Sequence, residues 1–106
     1  MKLLLDECLP VDFRHQMPGH EVHTAEWAGF KGLKNGKLLR EAESAGYDVF
    51  LTTDQGIPHQ QNLAQRRISI LVIRSRTNQI EDLLPIIGTI LSKLAEIQPG
   101  QIAFTS

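Results

Sequence analysis

Short apolar runs alternate along this chain with segments of helical period. Lys2–Leu5 is an apolar run that stops at Asp6-Glu7 and reads as a strand. Leu9, Phe13 and Met17 recur at i, i+4 and i+8, with Pro10 in a first turn and Pro18-Gly19 as a stop. That pattern predicts a helix over Leu9–Met17. His20–Thr24, with Val22 between polar neighbours, is a weaker strand signal, and the glycine-spaced segment Trp27–Gly36 reads as a long loop. Leu38, Leu39, Ala42 and Ala45 form one stripe, so a helix is expected from an Asn35 N-cap to a Gly46 C-cap. Val49-Phe50-Leu51 lies inside a strand over Asp48–Thr53, and Ile57–Gln65 holds at most a short polar helix. Ile68–Ile73 is the strongest strand, apolar at nearly every position as in a strand covered on both faces. Ile80, Leu83, Leu84, Ile87, Ile90, Leu91, Leu94 and Ile97 then give a stripe of 3.6-residue period. Pro85 fits that helix only if it begins near Asp82, where the first N–H groups lack partners anyway. Pro99-Gly100 breaks the chain before a last short strand over Gln101–Thr105.

Strands separated by helices predict an α/β fold with a mostly parallel sheet and helices on both faces. A length of 106 residues fits one domain over 1–106. The net charge of −1 excludes a binder that works through a global positive field. A single cysteine, Cys8, excludes an intramolecular disulfide and a multi-cysteine zinc site, and a small buried hydrophobe is the expected role of Cys8. No apolar run approaches the ~20 residues of a membrane span. Asp6 and Glu7 cut short the one run placed like a signal core. The expectation is a soluble cytoplasmic protein.

The candidate chemistry is carboxylate. Asp6-Glu7 ends the first strand and Asp54 ends the Val49–Thr53 run. In open α/β sheets function gathers beyond the carboxyl ends of the strands. Acids gathered there repel unless a hard cation such as Mg²⁺ or Mn²⁺ neutralises them. The competing reading is structural, because Asp after a strand often forms a turn or caps a helix. Asn35 falls near the middle of its helix's apolar stripe but at the N-terminal end, within reach of a crevice while Leu38 and Ala42 pack. Glu41 and Glu43 flank that helix's apolar stripe; either is a further acid or a solvated flank, and Glu41 also has Lys37 at i, i+4.

The remaining polar residues carry weaker signals. His15, His20, His23 and His59 show no zinc spacing and read as structural or surface residues; His59 stands out only for its nearness to Asp54. Arg66 and Arg67 precede the Ile68–Ile73 strand, and Arg74 and Arg76 follow it. The second pair leaves the crevice side, where it either holds phosphate or serves solubility. Gln60 and Gln61 carry amides able to read bases or hold ribose hydroxyls, or to cap a short helix. Gly29, Gly32 and Gly36 follow no clear strand and so fail the context of a nucleotide loop.

The opening Met1-Lys2-Leu3-Leu4-Leu5-Asp6-Glu7-Cys8-Leu9-Pro10 resembles the start of the small PIN-like proteins, relatives of VapC-type toxins. The resemblance continues through Gly19-His20-Glu21-Val22, Gly32-Leu33-Lys34-Asn35-Gly36, Asp48-Val49-Phe50-Leu51-Thr52-Thr53-Asp54 and Gln60-Gln61-Asn62-Leu63. It implies a PIN-like α/β/α sandwich of about five strands. It also implies a Mg²⁺- or Mn²⁺-dependent endoribonuclease that hydrolyses RNA as the toxin of a toxin–antitoxin pair. Carried onto this chain, Asp6, Glu7 and Asp54 match the metal-site acids, and Glu43 or Glu41 stands for the helix acid. Arg74, Arg76, Asn35, Gln60 and Gln61 are the candidates for substrate contact. The chain departs from the pattern after Asp54, where Gln55, Gly56 and Ile57 replace a further acid. That departure keeps open a catalytically degenerate binding module. A receiver-like phosphoacceptor domain has a similar layout, but Gln101–Ser106 lacks the lysine it needs. The long apolar helix also suggests a homodimer surface.

Overall fold

The computed structural model describes residues 1–57, 62–63 and 65–106, with the side chain of Asn35 outside that set. Five strands form one sheet: β1 (Lys2–Leu5), β2 (Glu21–Thr24), β3 (Val49–Thr52), β4 (Ser69–Val72) and β5 (Ile102–Phe104). Every pairing is parallel, in the order β2-β1-β3-β4-β5. Side chains alternate across it with the period of two that a strand imposes. Leu3, Leu5, Val49, Leu51, Leu71 and Ile73 enter one buried cluster, and Leu4, Phe50, Ile70 and Val72 enter the other. A sheet apolar on both faces needs cover on both, so the fold is a three-layer α/β arrangement as the patterning predicts.

One layer is a 3-10 helix (Val11–Gln16) with the C-terminal helices; the other is α1 (Asn35–Ser44). The predicted helix over Leu9–Met17 is this shorter 3-10 segment, opened by a Phe13 N–H to Pro10 carbonyl bond. Its apolar positions still do what their spacing required, because Leu9, Phe13 and Met17 are all buried. Lys34, not Asn35, takes the N-cap position of α1, with no side-chain cap bond, and Asn35 is the first helical residue. Ala45, not Gly46, takes the C-cap position, and Gly46 follows it at a φ of 88° that a side chain would resist. The long C-terminal helix is broken into α2 (Ile80–Leu83), a 3-10 turn (Leu84–Ile86) and α3 (Ile87–Glu96). Pro85 explains the break, since it lacks the N–H that a continuous helix would use. Leu83, Ile90 and Leu94 are fully or almost fully buried against the sheet. The stripe that suggested a dimer face is therefore core, and only Leu84 of its large residues is exposed.

The order of the strands decides where a site can lie. The chain leaves β1 for β2 on one side, then crosses β1 to reach β3 on the other. β1 and β3 are thus the pair at which the connections diverge, and the crevice beyond their carboxyl ends is the natural site. The β4–β5 connection is unusual. It moves in the same direction as the β2–β3 connection, yet α3 packs on the face opposite α1. The two crossovers therefore have opposite hands, a departure from the uniformly right-handed rule. Gly100 makes the tight return into β5: its φ is +75°, and a Cβ there would lie 2.8 Å from the Arg66 carbonyl oxygen.

Candidate active site

Asp6 follows the last residue of β1, and its N–H donates to the Leu51 carbonyl at 2.9 Å, so β1 stays bound to β3 up to the site. Asp54 lies two residues beyond the end of β3. Neighbouring strands are ~4.8 Å apart, so the fold brings these two carboxylates to adjacent strand ends at the diverging pair. They line one cleft of about 250 Å³ with Glu7, Lys34, Leu38 and Ile57.

Thr52 organises this cleft, and sequence reading did not single it out. It is fully buried. Its hydroxyl donates to Asp6 Oδ2 at 2.6 Å and accepts the Asp54 N–H at 3.0 Å. One side chain therefore fixes the rotamer of the first acid and the backbone that carries the second. Asp6 Oδ1 accepts the Glu7 N–H at 2.8 Å, and Asp54 Oδ1 accepts the Gly56 N–H at 2.9 Å. The signal was the buried threonine two residues before a strand-terminal Asp. Replacing Thr52 by Val keeps the shape and removes the hydroxyl. The expected loss is about 2 kcal/mol, because one bond is to a charged acceptor. For a domain near this size that lowers the melting midpoint by roughly 8–16 °C, while Thr52→Ser restores most of it. A Thr52→Val protein that melts with the parent would disprove the bridging role.

Glu7 stays with the two aspartates at the cleft, and the other site candidates separate. Glu7 is exposed, and its Oε1 accepts the Gly32 N–H at 2.9 Å, which ties the loop after β2 to the cleft rim. Among the described residues no group of three or more His, Cys, Asp or Glu is placed to hold a metal ion. Glu43 lies at the far edge of the sheet, because α1 runs back against the strands and carries its last turn to their amino ends. There its Oε2 accepts the Arg67 and Ile68 N–H groups at 2.6 and 3.1 Å, just before β4. Glu41, on the same turn, is exposed. Asn35 stands at the start of α1, and Gln60, Gln61 and His59 lie outside the described residues. Cys8 is exposed rather than buried, with its Sγ 3.1 Å from Thr53 Oγ1.

The arginines also divide. Arg74 leaves β4 on the crevice side and is held in place. Its Nε donates to Gln55 Oε1 at 3.1 Å, its Nη1 donates to the Ser106 carbonyl at 2.8 Å, and its guanidinium lies 4.6 Å over the Phe104 ring. Gln55 is itself anchored on the Thr53 and Ile73 carbonyls. Where the resemblance implies a further acid, this chain has an amide that orients a cation. Arg76 instead pairs with Asp82 at 3.3 Å, and Thr77 also donates to that carboxylate. These two bonds hold the Asp82 carboxyl below its ordinary range, the Thr77 hydroxyl being the larger cause.

The Glu43 carboxyl is held below its ordinary value, chiefly by the Ile68 N–H, with the Arg67 N–H and the Arg67 and Arg66 charges adding to it. A depressed folded pKa contributes stability that is full above the unfolded pKa and is lost as pH falls through the folded one. Glu43→Ala is therefore expected to cost about 1–2 kcal/mol at neutral pH, discounted for a half-buried pair of charge-assisted bonds. That gap should close as pH falls below 4.5, the ordinary Glu value. Urea midpoints of both proteins at neutral pH and near pH 2.5 check this, and a constant gap would contradict it.

Compared with family models, with curated proteins and with solved structures, the chain matches none. The resemblance to PIN-like proteins is carried by its motifs alone.

The donors at the cleft suit a hard cation. Each Asp6 oxygen accepts one bond and keeps a second lone pair, and Asp54 Oδ2 accepts none among the described residues. Mg²⁺ and Mn²⁺ favour such oxygens, and Mg²⁺ is often held by one or two carboxylates plus water and substrate phosphate. Among the described residues no helix is long and apolar enough to cross a membrane.

Proposed function

We propose that this protein is a PIN-like, divalent-cation-dependent endoribonuclease. The observation that carries the reading is the placement of Asp6 and Asp54 at adjacent strand ends, joined through Thr52. Asp6 and Asp54 would hold Mg²⁺ or Mn²⁺, which lowers the pKa of a bound water and offsets charge on a phosphodiester. Glu7 lines the same cleft and would assist the two aspartates, and Arg74, fixed by Gln55 and Phe104 just beyond β4, is the candidate for phosphate contact. RNA as substrate, and a toxin role with an antitoxin partner in the cytoplasm, rest on the motif resemblance. The test is cleavage of single-stranded RNA by purified protein with Mn²⁺ and its absence with EDTA. No metal-dependent products at stoichiometric protein would reject the reading.

A second reading, the binding module that lost part of its acid set, is favoured by the position of Glu43 at the opposite edge of the sheet. It predicts that Mn²⁺ raises the melting temperature while RNA stays intact. The phosphoacceptor reading is disfavoured by the opposite hand of the β4–β5 crossover, because a uniformly wound sheet of this order would place that connection on the α1 face.

A further inference from the structure

Trp27 is 71% exposed, although an indole is among the costliest side chains to leave in water. It is nevertheless held in place. Its backbone N–H donates to Thr24 Oγ1 at 3.1 Å, and its ring lies against His23 with centroids 4.1 Å apart and planes tilted 37°. His23 is fixed in turn by the Tyr47 hydroxyl at 2.8 Å and Glu21 at 3.2 Å. One indole face is backed by an anchored ring and the other meets solvent, as in a stacking platform.

Three neighbouring hollows that share lining residues lead from the Asp6–Asp54 cleft to Trp27, and we call them the groove. The cleft of Asp6 and Asp54 shares Asp6 and Glu7 with a hollow of about 220 Å³. That hollow shares Val11, Thr24 and Glu26 with an outer one of about 350 Å³, which Trp27, His23 and Arg14 complete. Val11, the groove's other large exposed apolar side chain, is 55% exposed. The groove is not basic: Glu26 lies in it and pairs with Lys31 at 3.8 Å. A ligand held chiefly through phosphates finds little there, whereas one held through a planar ring finds a prepared surface.

We propose that Trp27 stacks on an unpaired base of single-stranded RNA whose backbone runs along this groove to the Asp6–Asp54 cleft. This inference rests on the ribonuclease reading and adds to it a base subsite at Trp27, which only an unpaired base can reach, because the bases of a duplex are closed to an indole. Binding should depend only weakly on salt, since few phosphates are neutralised.

The test is anisotropy of an end-labelled single-stranded ribohexanucleotide with the full chain in EDTA, alongside Mn²⁺-dependent cleavage of the same strand. Trp27→Ala is expected to weaken binding roughly five- to a hundredfold, the range for loss of one base–aromatic stack, and Trp27→Phe to recover part of it. An abasic strand should bind parent and Trp27→Ala alike. Cleavage with binding that ignores Trp27 would overturn the stacking site and leave the nuclease standing. Trp27-dependent binding without cleavage would support the site and reject the nuclease. Equal binding of the abasic and normal strands to the parent, or binding of an aromatic peptide alone at the open β2 edge, would overturn the inference.

Discussion

Asp6→Asn protein is expected to lose Mn²⁺-dependent RNA cleavage by at least about a hundredfold while keeping its fold. The floor follows from metal sites in general, where outer partners alone are worth roughly 10–100-fold and a direct ligand more. The fold survives because asparagine keeps the shape and an oxygen for the Glu7 N–H. Its NH2 group cannot accept from the Thr52 hydroxyl, so that one bond is lost, at a cost of about 1–2 kcal/mol out of roughly 5–15. What the substitution removes is the negative charge that draws a cation. The Mn²⁺-induced rise in melting temperature should vanish with the activity. In the parent, metal at ~100 × Kd adds about 2.7 kcal/mol, a rise of roughly 10–20 °C in a domain near this size. Undiminished cleavage by Asp6→Asn would mark a contaminating nuclease. A preserved melting shift without cleavage would place the metal elsewhere than on Asp6.

The parts of this arrangement that sequence patterning anticipated are those set by a single period. The unbroken apolar runs of β1, β3 and β4 are buried on both faces and the stripe of α1 on one, and that burial follows from local spacing. The C-terminal stripe was legible as an apolar face, but its division was not. Pro85 permits either a late helix start or a break, and packing of Leu83 and Ile90 on one sheet face favours the break. The pairing of Asp6 with Asp54 required only that both strands be parallel and adjacent.

Glu43 shows the limit of that reasoning. Helical position alone places Glu43 beside the apolar stripe, but not at which end of the sheet it lies. The direction of α1 decides that, and it puts Glu43 on the Arg67 and Ile68 amides at the amino edge. Thr52 and Trp27 were hidden for a different reason. Thr52 acts through Asp6, 46 residues away, and no local spacing records that contact. Trp27 meets His23 and Thr24 close by in sequence, but its exposure beside hollows that lead to the cleft is set by the packing of β1 and β2.

Phe50→Ala is the substitution expected to damage stability most. Phe50 is 1% exposed and sits in β3, the central strand, between β1 and β4. Its ring packs on the α1 face with Leu4, Leu38, Leu39, Ile70 and Val72 in one buried cluster. Truncation removes the transfer energy of the ring and leaves a cavity that strands bonded on both sides cannot collapse to fill. The expected cost is about 3–5 kcal/mol, against a total of roughly 5–15 kcal/mol for a domain. The melting midpoint should fall by roughly 12 °C or more. Phe50→Leu keeps most of the volume and should cost far less. Phe50 also lines the floor of the Asp6–Asp54 cleft, so its loss frees Leu38 and Ile57 beneath the acids. Cleavage measured at a temperature where Phe50→Ala is still folded should therefore fall as well, through weaker metal retention, and excess Mn²⁺ should restore part of it. Urea midpoints of the parent, Phe50→Leu and Phe50→Ala in EDTA separate the two effects. A Phe50→Ala loss under about 1.5 kcal/mol, less than a fully buried side chain of this size contributes, would mean that α1 does not pack on β3 as described.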